Sequence, residues 1–231
     1  MTSSTDKNEI PRKALIVSCQ AEGNDPFNTP HGVTLFARAA EMGGAGAIRS
    51  EGIVKTSMIL KKINIPVIGL VKTKFSDQTV CITRHVSNVE SLIRIGCQLI
   101  AIDGTFRKTN NFSGPEFIQF VRERFDCKIV ADIATLQEAL ECHSAGADYI
   151  ATTLSGYTPE TIKKQMHNPD FKLVQTLVQH KIPKIIAEGR IQNSNQGKKM
   201  IQTGAWAITI GTSITRPKLV VQKIVQHLNT K

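Results

Sequence analysis

Two stretches, Ile185-Ile186-Ala187-Glu188-Gly189-Arg190 and Ala207-Ile208-Thr209-Ile210-Gly211-Thr212-Ser213, decide the fold. Each is an apolar run that stops on a glycine, and a strand buried on both faces of a parallel sheet reads as such a run. Glycine at the strand end removes the Cβ that would hold a ligand away from the backbone. Two of these ends side by side are the usual phosphate grip of an α/β barrel.

Working back toward the N-terminus, the same kind of run recurs. Strands are expected over Ala14–Gln20, Ala47–Arg49, Val67–Lys72, Leu99–Asp103, Ile129–Asp132, Tyr149–Thr153, Lys184–Glu188 and Ala205–Gly211. Helical periodicity fills the gaps, most clearly over Thr135–His143 and Phe171–Val178. Strand and helix in unbroken alternation imply a parallel sheet, and eight strands close a barrel. Gly44, Gly96, Gly146 and Gly204 each stand four residues before an isoleucine (Ile48, Ile100, Ile150 and Ile208), the spacing of a glycine that ends one helix just before the next strand. Two of the intervening strands open on Ile-Pro, at Ile65-Pro66 and Ile182-Pro183. The expected fold is therefore α/β, a (β/α)8 TIM barrel in a single domain over residues 13–231, after a flexible N-terminal segment over 1–12. The longest irregular segments, Ala21–Pro30, Thr73–Arg84 and Gly104–Pro115, all follow strands, where a barrel carries its functional loops.

The composition agrees. A chain of 231 residues and 25.4 kDa with 41% hydrophobic residues suits one large core. No apolar stretch reaches the roughly 18 residues of a membrane helix, and Met1–Asn8 lacks the apolar block of a secretory signal, so a cytoplasmic protein is expected. Cys19, Cys81, Cys97, Cys127 and Cys142 form no Cys-x-x-Cys pair and read as reduced and structural; the six histidines show no metal-ligand spacing, so no metal is expected. The net charge of +10 points to an anionic partner, but Lys and Arg are spread along the whole chain with one Trp and two Tyr, which favours a small anionic substrate over nucleic acid.

The expected strands end on Gln20, Arg49, Lys72, Asp103, Asp132, Thr153, Glu188 and Gly211. Seven of these eight are polar although the strands are apolar, and a closed barrel gathers them in one bowl, where charge without a task is costly to desolvate. Lys72 follows Pro66-Val67-Ile68-Gly69-Leu70-Val71, so its side chain is expected to leave an apolar wall with Arg49 nearby and to take a proton from carbon. Lys74 is its possible substitute, and Glu188 its partner across the bowl unless Arg190 or Arg216 binds that carboxylate. Gly211-Thr212-Ser213-Ile214-Thr215-Arg216 offers amides, hydroxyls and a guanidinium at a short helix start, which with Gly189 and Arg190 makes a phosphate site.

Read together, Leu15–Gln20, Ala47–Arg49, Val67–Lys72, Ala101–Thr105, Ala131–Ile133, Thr152–Thr158, Ile186–Arg190 and Ile210–Arg216 resemble the N-acetylmannosamine-6-phosphate 2-epimerase family. The resemblance runs from about Leu15 to Pro217. It implies interconversion of N-acetylmannosamine 6-phosphate and N-acetylglucosamine 6-phosphate in sialic acid breakdown, without metal or organic cofactor. It assigns Lys72 to the lysine that removes and returns the C2 proton and Glu188 to the assisting glutamate. Gln20, Arg49, Asp132 and Arg216 fall on substrate-binding positions, and Gly189, Gly211 and Thr212 on the phosphate turns; Thr153, by its strand end, and Arg190, beside Gly189, are expected to join the substrate and phosphate sites. Thr73 stands where the family has arginine, Thr109-Asn110-Asn111 lacks a further basic residue, and Ile191–Gln196 replaces an Asn-Thr-Pro turn, with Asn193 or Ser194 as helix cap. Two other readings stay open: another phosphosugar isomerase or a decarboxylase, with Asp103 and Asp132 as acid and base, or a basic binding protein without catalysis. The helix expected over Lys218–Asn229 either joins two copies in a homodimer or closes the barrel.

Overall fold

The computed structural model describes residues 7–162 and 167–229. Among them the strands are β1 (Ala14–Cys19), β2 (Ala47–Glu51), β3 (Val67–Leu70), β4 (Lys72–Lys74), β5 (Val80–Ile82), β6 (Leu99–Asp103), β7 (Lys128–Asp132), β8 (Tyr149–Ala151), β9 (Ile185–Glu188) and β10 (Ala207–Ile210). The helices are α1 (Pro30–Met42), α2 (Ile53–Leu60), α3 (Val86–Arg94), α4 (Gly114–Arg124), α5 (Leu136–Ser144), α6 (Phe171–Gln179), α7 (Ser194–Thr203), α8 (Thr212–Thr215) and α9 (Pro217–Asn229). Eight strands pair in parallel in the order β1-β2-β3-β6-β7-β8-β9-β10, and β10 returns to β1, so the barrel is closed.

Side-chain alternation builds the two shells of the core. Ile16, Ala47, Ile68, Leu70, Leu99, Ala101, Val130, Tyr149, Ala151, Ile186 and Ala207 pack inside the barrel. Their strand neighbours, among them Val17, Ile48, Val67, Ile100, Ile129, Ile150 and Ile185, pack outward under the helices. Burial on both faces is why these strands read as unbroken apolar runs. The four repeat glycines lie at φ of +88°, +84°, +96° and +114° and end the helices before β2, β6, β8 and β10. Thr135 caps α5 in a reciprocal box with Glu138, and Asn193 caps α7 by accepting from the Gln196 amide at 3.0 Å.

Thr73–Arg84 was expected to be an irregular loop and is instead built around an antiparallel hairpin, with Lys72 opposite Ile82 and Lys74 opposite Val80. Its strands are three residues each, too short for alternation to register in the sequence. Asp77 shapes the turn by accepting from the Thr79 amide at 2.9 Å. Lys72 accordingly opens this hairpin rather than ending β3.

The N-terminal segment also differs from expectation in its last residues. Ile10 is buried at the barrel floor, its amide donating to the Tyr149 hydroxyl and its carbonyl accepting from the Trp206 indole at 2.8 Å. Glu9 accepts from Tyr149 at 2.7 Å. An apolar residue at the open end of a barrel has core to fill, so anchoring begins before residue 12. Residues 1–6 lie outside the described residues.

Candidate active site

At the C-terminal ends of the strands lies a cavity of about 690 Å³, inside the usual range for ligand sites. Gln20, Arg49, Lys72, Thr153, Glu188, Gly189, Arg190, Gly211, Thr212 and Arg216 all line it, so ten of the expected residues meet in one place. Each barrel-strand residue in this set continues the inward phase of its strand: Gln20 follows Ile16, Arg49 follows Ala47, and Glu188 follows Ile186.

Arg49 organises the centre. It is fully enclosed, and its two terminal nitrogens donate to the two carboxylate oxygens of Asp132 at 3.1 and 2.6 Å. The first also stands 3.5 Å from Glu188 Oε2. Burial disfavours the guanidinium charge, but Asp132 and Glu188 together more than offset it and raise its pKa. Thr153 donates to Asp132 from the neighbouring strand. Asp132, expected to touch substrate, lies fully buried beneath Arg49 and does not line the cavity. One inward position was legible in sequence; which partner would cover it was not.

Glu188 is held by its backbone. Its amide donates to the Thr152 hydroxyl at 3.1 Å and its carbonyl accepts from that hydroxyl at 2.9 Å. Burial pushes its carboxyl pKa up, Arg49 opposes this, and Asp132 adds to it. The partner is Arg49, not Arg190 or Arg216. Arg190 donates instead to the carbonyls of Asn168 and Ser155 at 3.0 and 2.9 Å. Glu188 Oε2 and the Thr209 hydroxyl are buried without a hydrogen bond among the described residues. Thr209 lies opposite Glu188 in the ladder, so both polar groups face the cavity.

Lys72 reaches the cavity from the hairpin and pairs with Glu22, in the same cavity that Arg49 lines. Glu22 also lies 3.3 Å from Arg216, whose Nε donates to the Gln20 carbonyl at 3.1 Å. Lys74 is exposed, bonds Gln78 at 3.3 Å and does not line the cavity, so it is not a substitute at this geometry. Asp103 is likewise off the cavity, buried and bound by Arg107 at 2.9 Å; an acid–base pair of Asp103 and Asp132 is therefore not open to substrate.

Gly211 precedes α8 and passes close to β1: a Cβ there would lie 3.2 Å from Ser18 Cβ. The Thr215 hydroxyl donates to the Ser18 carbonyl at 2.6 Å, fixing the turn. Gly189 sits at φ +110°, so two glycine turns flank one wall. Five basic side chains (Arg49, Lys72, Arg190, Arg216 and Lys223) against Glu22 and Glu188 line the cavity, a balance that suits an anion. Glu22, Tyr157, Thr209 and Lys223 also line the cavity without having been expected there. Thr209 alone carried a signal, two residues before Gly211 in the inward phase.

The cysteines take no part. All five are buried and free, and burial raises their thiol pKa values, to about 12 for Cys19 and Cys97. Among the described residues no group of three or more His, Cys, Asp and Glu side chains is placed to hold a metal, and no helix is long and apolar enough to cross a membrane.

Fold and cavity define a class: (β/α)8 barrels whose cavity, lined here by five basic and two acidic side chains, opens at the C-terminal ends of the strands. The family model NanE, described as "Putative N-acetylmannosamine-6-phosphate epimerase", matches residues 33–230. The chain belongs to this N-acetylmannosamine-6-phosphate epimerase family. A relative from Clostridioides difficile, named "Putative N-acetylmannosamine-6-phosphate 2-epimerase", is 38% identical over 215 residues, covering 93% of this chain and 95% of its own. One of the same name from Caldanaerobacter subterraneus is 36% identical, covering 94% and 92%. The solved structure of the N-acetylmannosamine-6-phosphate 2-epimerase from Clostridium perfringens superposes with a TM-score of 0.87 at 33% identity, over 94% of both chains. A thiamine phosphate pyrophosphorylase from Pyrococcus furiosus, at 14% identity and a TM-score of 0.57, shares the fold alone.

Proposed function

We propose that this chain interconverts N-acetylmannosamine 6-phosphate and N-acetylglucosamine 6-phosphate by proton transfer at C2, a reaction of amino sugar and sialic acid breakdown. The observation that carries this reading is the meeting of Lys72, Glu188 and the Gly211–Thr212 turn in one cavity. The sugar opens to its aldehyde, which acidifies the C2 hydrogen. Lys72, having left Glu22 and given its own proton to solvent, acts as base and takes the C2 proton; the C2–H electron pair moves toward C1 and charge gathers on the C1 oxygen as an enolate. Return of the proton to the opposite face of C2 inverts the centre. Glu188, seated by Arg49, moves protons on a substrate hydroxyl. Arg49 supplies the fixed positive charge near the developing enolate. Phosphate held by Gly189, Arg190, Gly211 and Thr212, with Gln20, Thr153 and Arg216 along the chain of the sugar, anchors the reacting carbon against Lys72.

The reduced, buried cysteines fit a cytoplasmic setting. No residue of α9 is fully buried, and Val221, Val225 and Leu228 are exposed on it away from the cavity lining, which supports a homodimer formed through this helix.

In deuterated buffer with N-acetylmannosamine 6-phosphate, label appears at C2 of a product with inverted configuration. Lys72→Ala lowers kcat by about 10²–10⁴-fold. Turnover without C2 label, or a Lys72→Ala variant as fast as wild type, overturns the reading; retention on nucleic acid with no turnover would favour a basic binding protein.

A further inference from the structure

Lys72 hangs from a hairpin whose two faces do different things. Lys72, Val80 and Ile82 line the cavity, while Thr73 and Cys81, paired with each other, lie on the opposite face, with Cys81 Sγ 4.0 Å from Thr109 of the loop after β6. One side chain of that loop, Arg107, spans directly to the hairpin turn. Its Nε donates to the Thr105 hydroxyl at 3.0 Å, one terminal nitrogen to the Thr79 hydroxyl at 2.8 Å, and the other to Asp103 at 2.9 Å. Its plane lies over the Phe75 ring, 4.1 Å from the centroid. Thr79 and Phe75 flank the hairpin turn, and Asp103 ends β6. Asp103 is buried and itself fixed by the Thr105 amide at 3.0 Å. Where the chain leaves the hairpin, buried Arg84 donates to the Asp103 and Arg107 carbonyls at 3.2 and 3.3 Å.

We propose that Arg107 is a positioning residue for the reaction: it clamps the hairpin to the end of β6 and so fixes where the Lys72 amine stands over the cavity. The proposal rests on Lys72 being the base. A planar fork stacked on a ring and making three directed bonds is a task for arginine that a lysine cannot reproduce, and a small displacement of a catalytic group is expensive in rate. Asp103, the strand-end carboxylate with no contact to the cavity, thereby acquires a role as the clamp's fixed post.

Arg107→Lys and Thr79→Val test this, the second touching only the hairpin side. In Arg107→Lys kcat falls on the order of tenfold to a hundredfold, and in Thr79→Val by a smaller factor. Binding of inorganic phosphate, followed by calorimetry, stays as in wild type because the glycine turns lie on other strands. Wild-type kcat in both variants overturns the clamp, as does loss of phosphate binding in step with kcat, which would mark a general collapse. If wild-type enzyme shows no C2 label, the reading of Lys72 falls first; label in wild type with an undiminished Arg107→Lys sinks the clamp alone.

Discussion

At the residue scale, the site is organised by one buried cation between two carboxylates. Arg49 takes both oxygens of Asp132 and leaves Glu188 with a single 3.5 Å approach, so the two acids are not equivalent. Burial makes the charged form of Glu188 unfavourable and raises its pKa. A carboxyl raised in this way adds stability to the fold while protonated, below its unfolded value of about 4.5, and loses that contribution as pH rises through its folded pKa. Glu188→Gln is therefore expected to melt higher than wild type at neutral pH, to lack this component of the pH dependence, and to lose epimerase activity. Thermal melts across a pH series check it; an unchanged pH dependence would mean the carboxylate is fully compensated by Arg49. That Arg49, Lys72 and Glu188 face inward was readable, because an inward phase continued past each apolar run, although β2 runs on to Glu51 and Lys72 opens the hairpin instead of ending β3. Their pairing was not, since Asp132 and Glu22 could each reach several cations.

At the element scale, the glycines that stop helices show how local conformation and packing add. Gly44 and Gly204 both lie at positive φ, but a Cβ at Gly44 would meet nothing within 4 Å whereas one at Gly204 would lie 2.9 Å from Val178 Cγ2. Gly44→Ala should cost only the left-handed backbone term, about 1–2 kcal/mol, and Gly204→Ala more. Urea unfolding of the two variants measures the difference, and an equal or reversed order would show that Val178 yields without strain. The repeat of glycine and isoleucine was legible because one backbone requirement recurs at four helix ends. The hairpin was not, because three-residue strands carry too few positions for a period and are held from outside by Arg107 through Thr79 and Phe75.

At the scale of the whole molecule, the barrel separates stability from chemistry. Its floor is closed by Ile10, Tyr149 and Trp206, and its rim carries the cavity. Ile10→Ala should destabilise by about 2–5 kcal/mol and leave kcat unchanged at a temperature where the variant is folded; a fall in kcat there would show that the floor communicates with the rim. Eight apolar runs, their alternation with helices and the glycine stops are properties of local sequence, and by themselves they determined the closed barrel and the glycine turns. Which carboxylate Arg49 holds, that Lys72 rides on a hairpin beside Glu22, and that Asp103 turns from the cavity to a clamp were decided only in three dimensions. Periodicity fixes the side of the sheet on which a residue lies, whereas the partner of a buried charge depends on which distant strand ends and loops the closed barrel brings within hydrogen-bond reach.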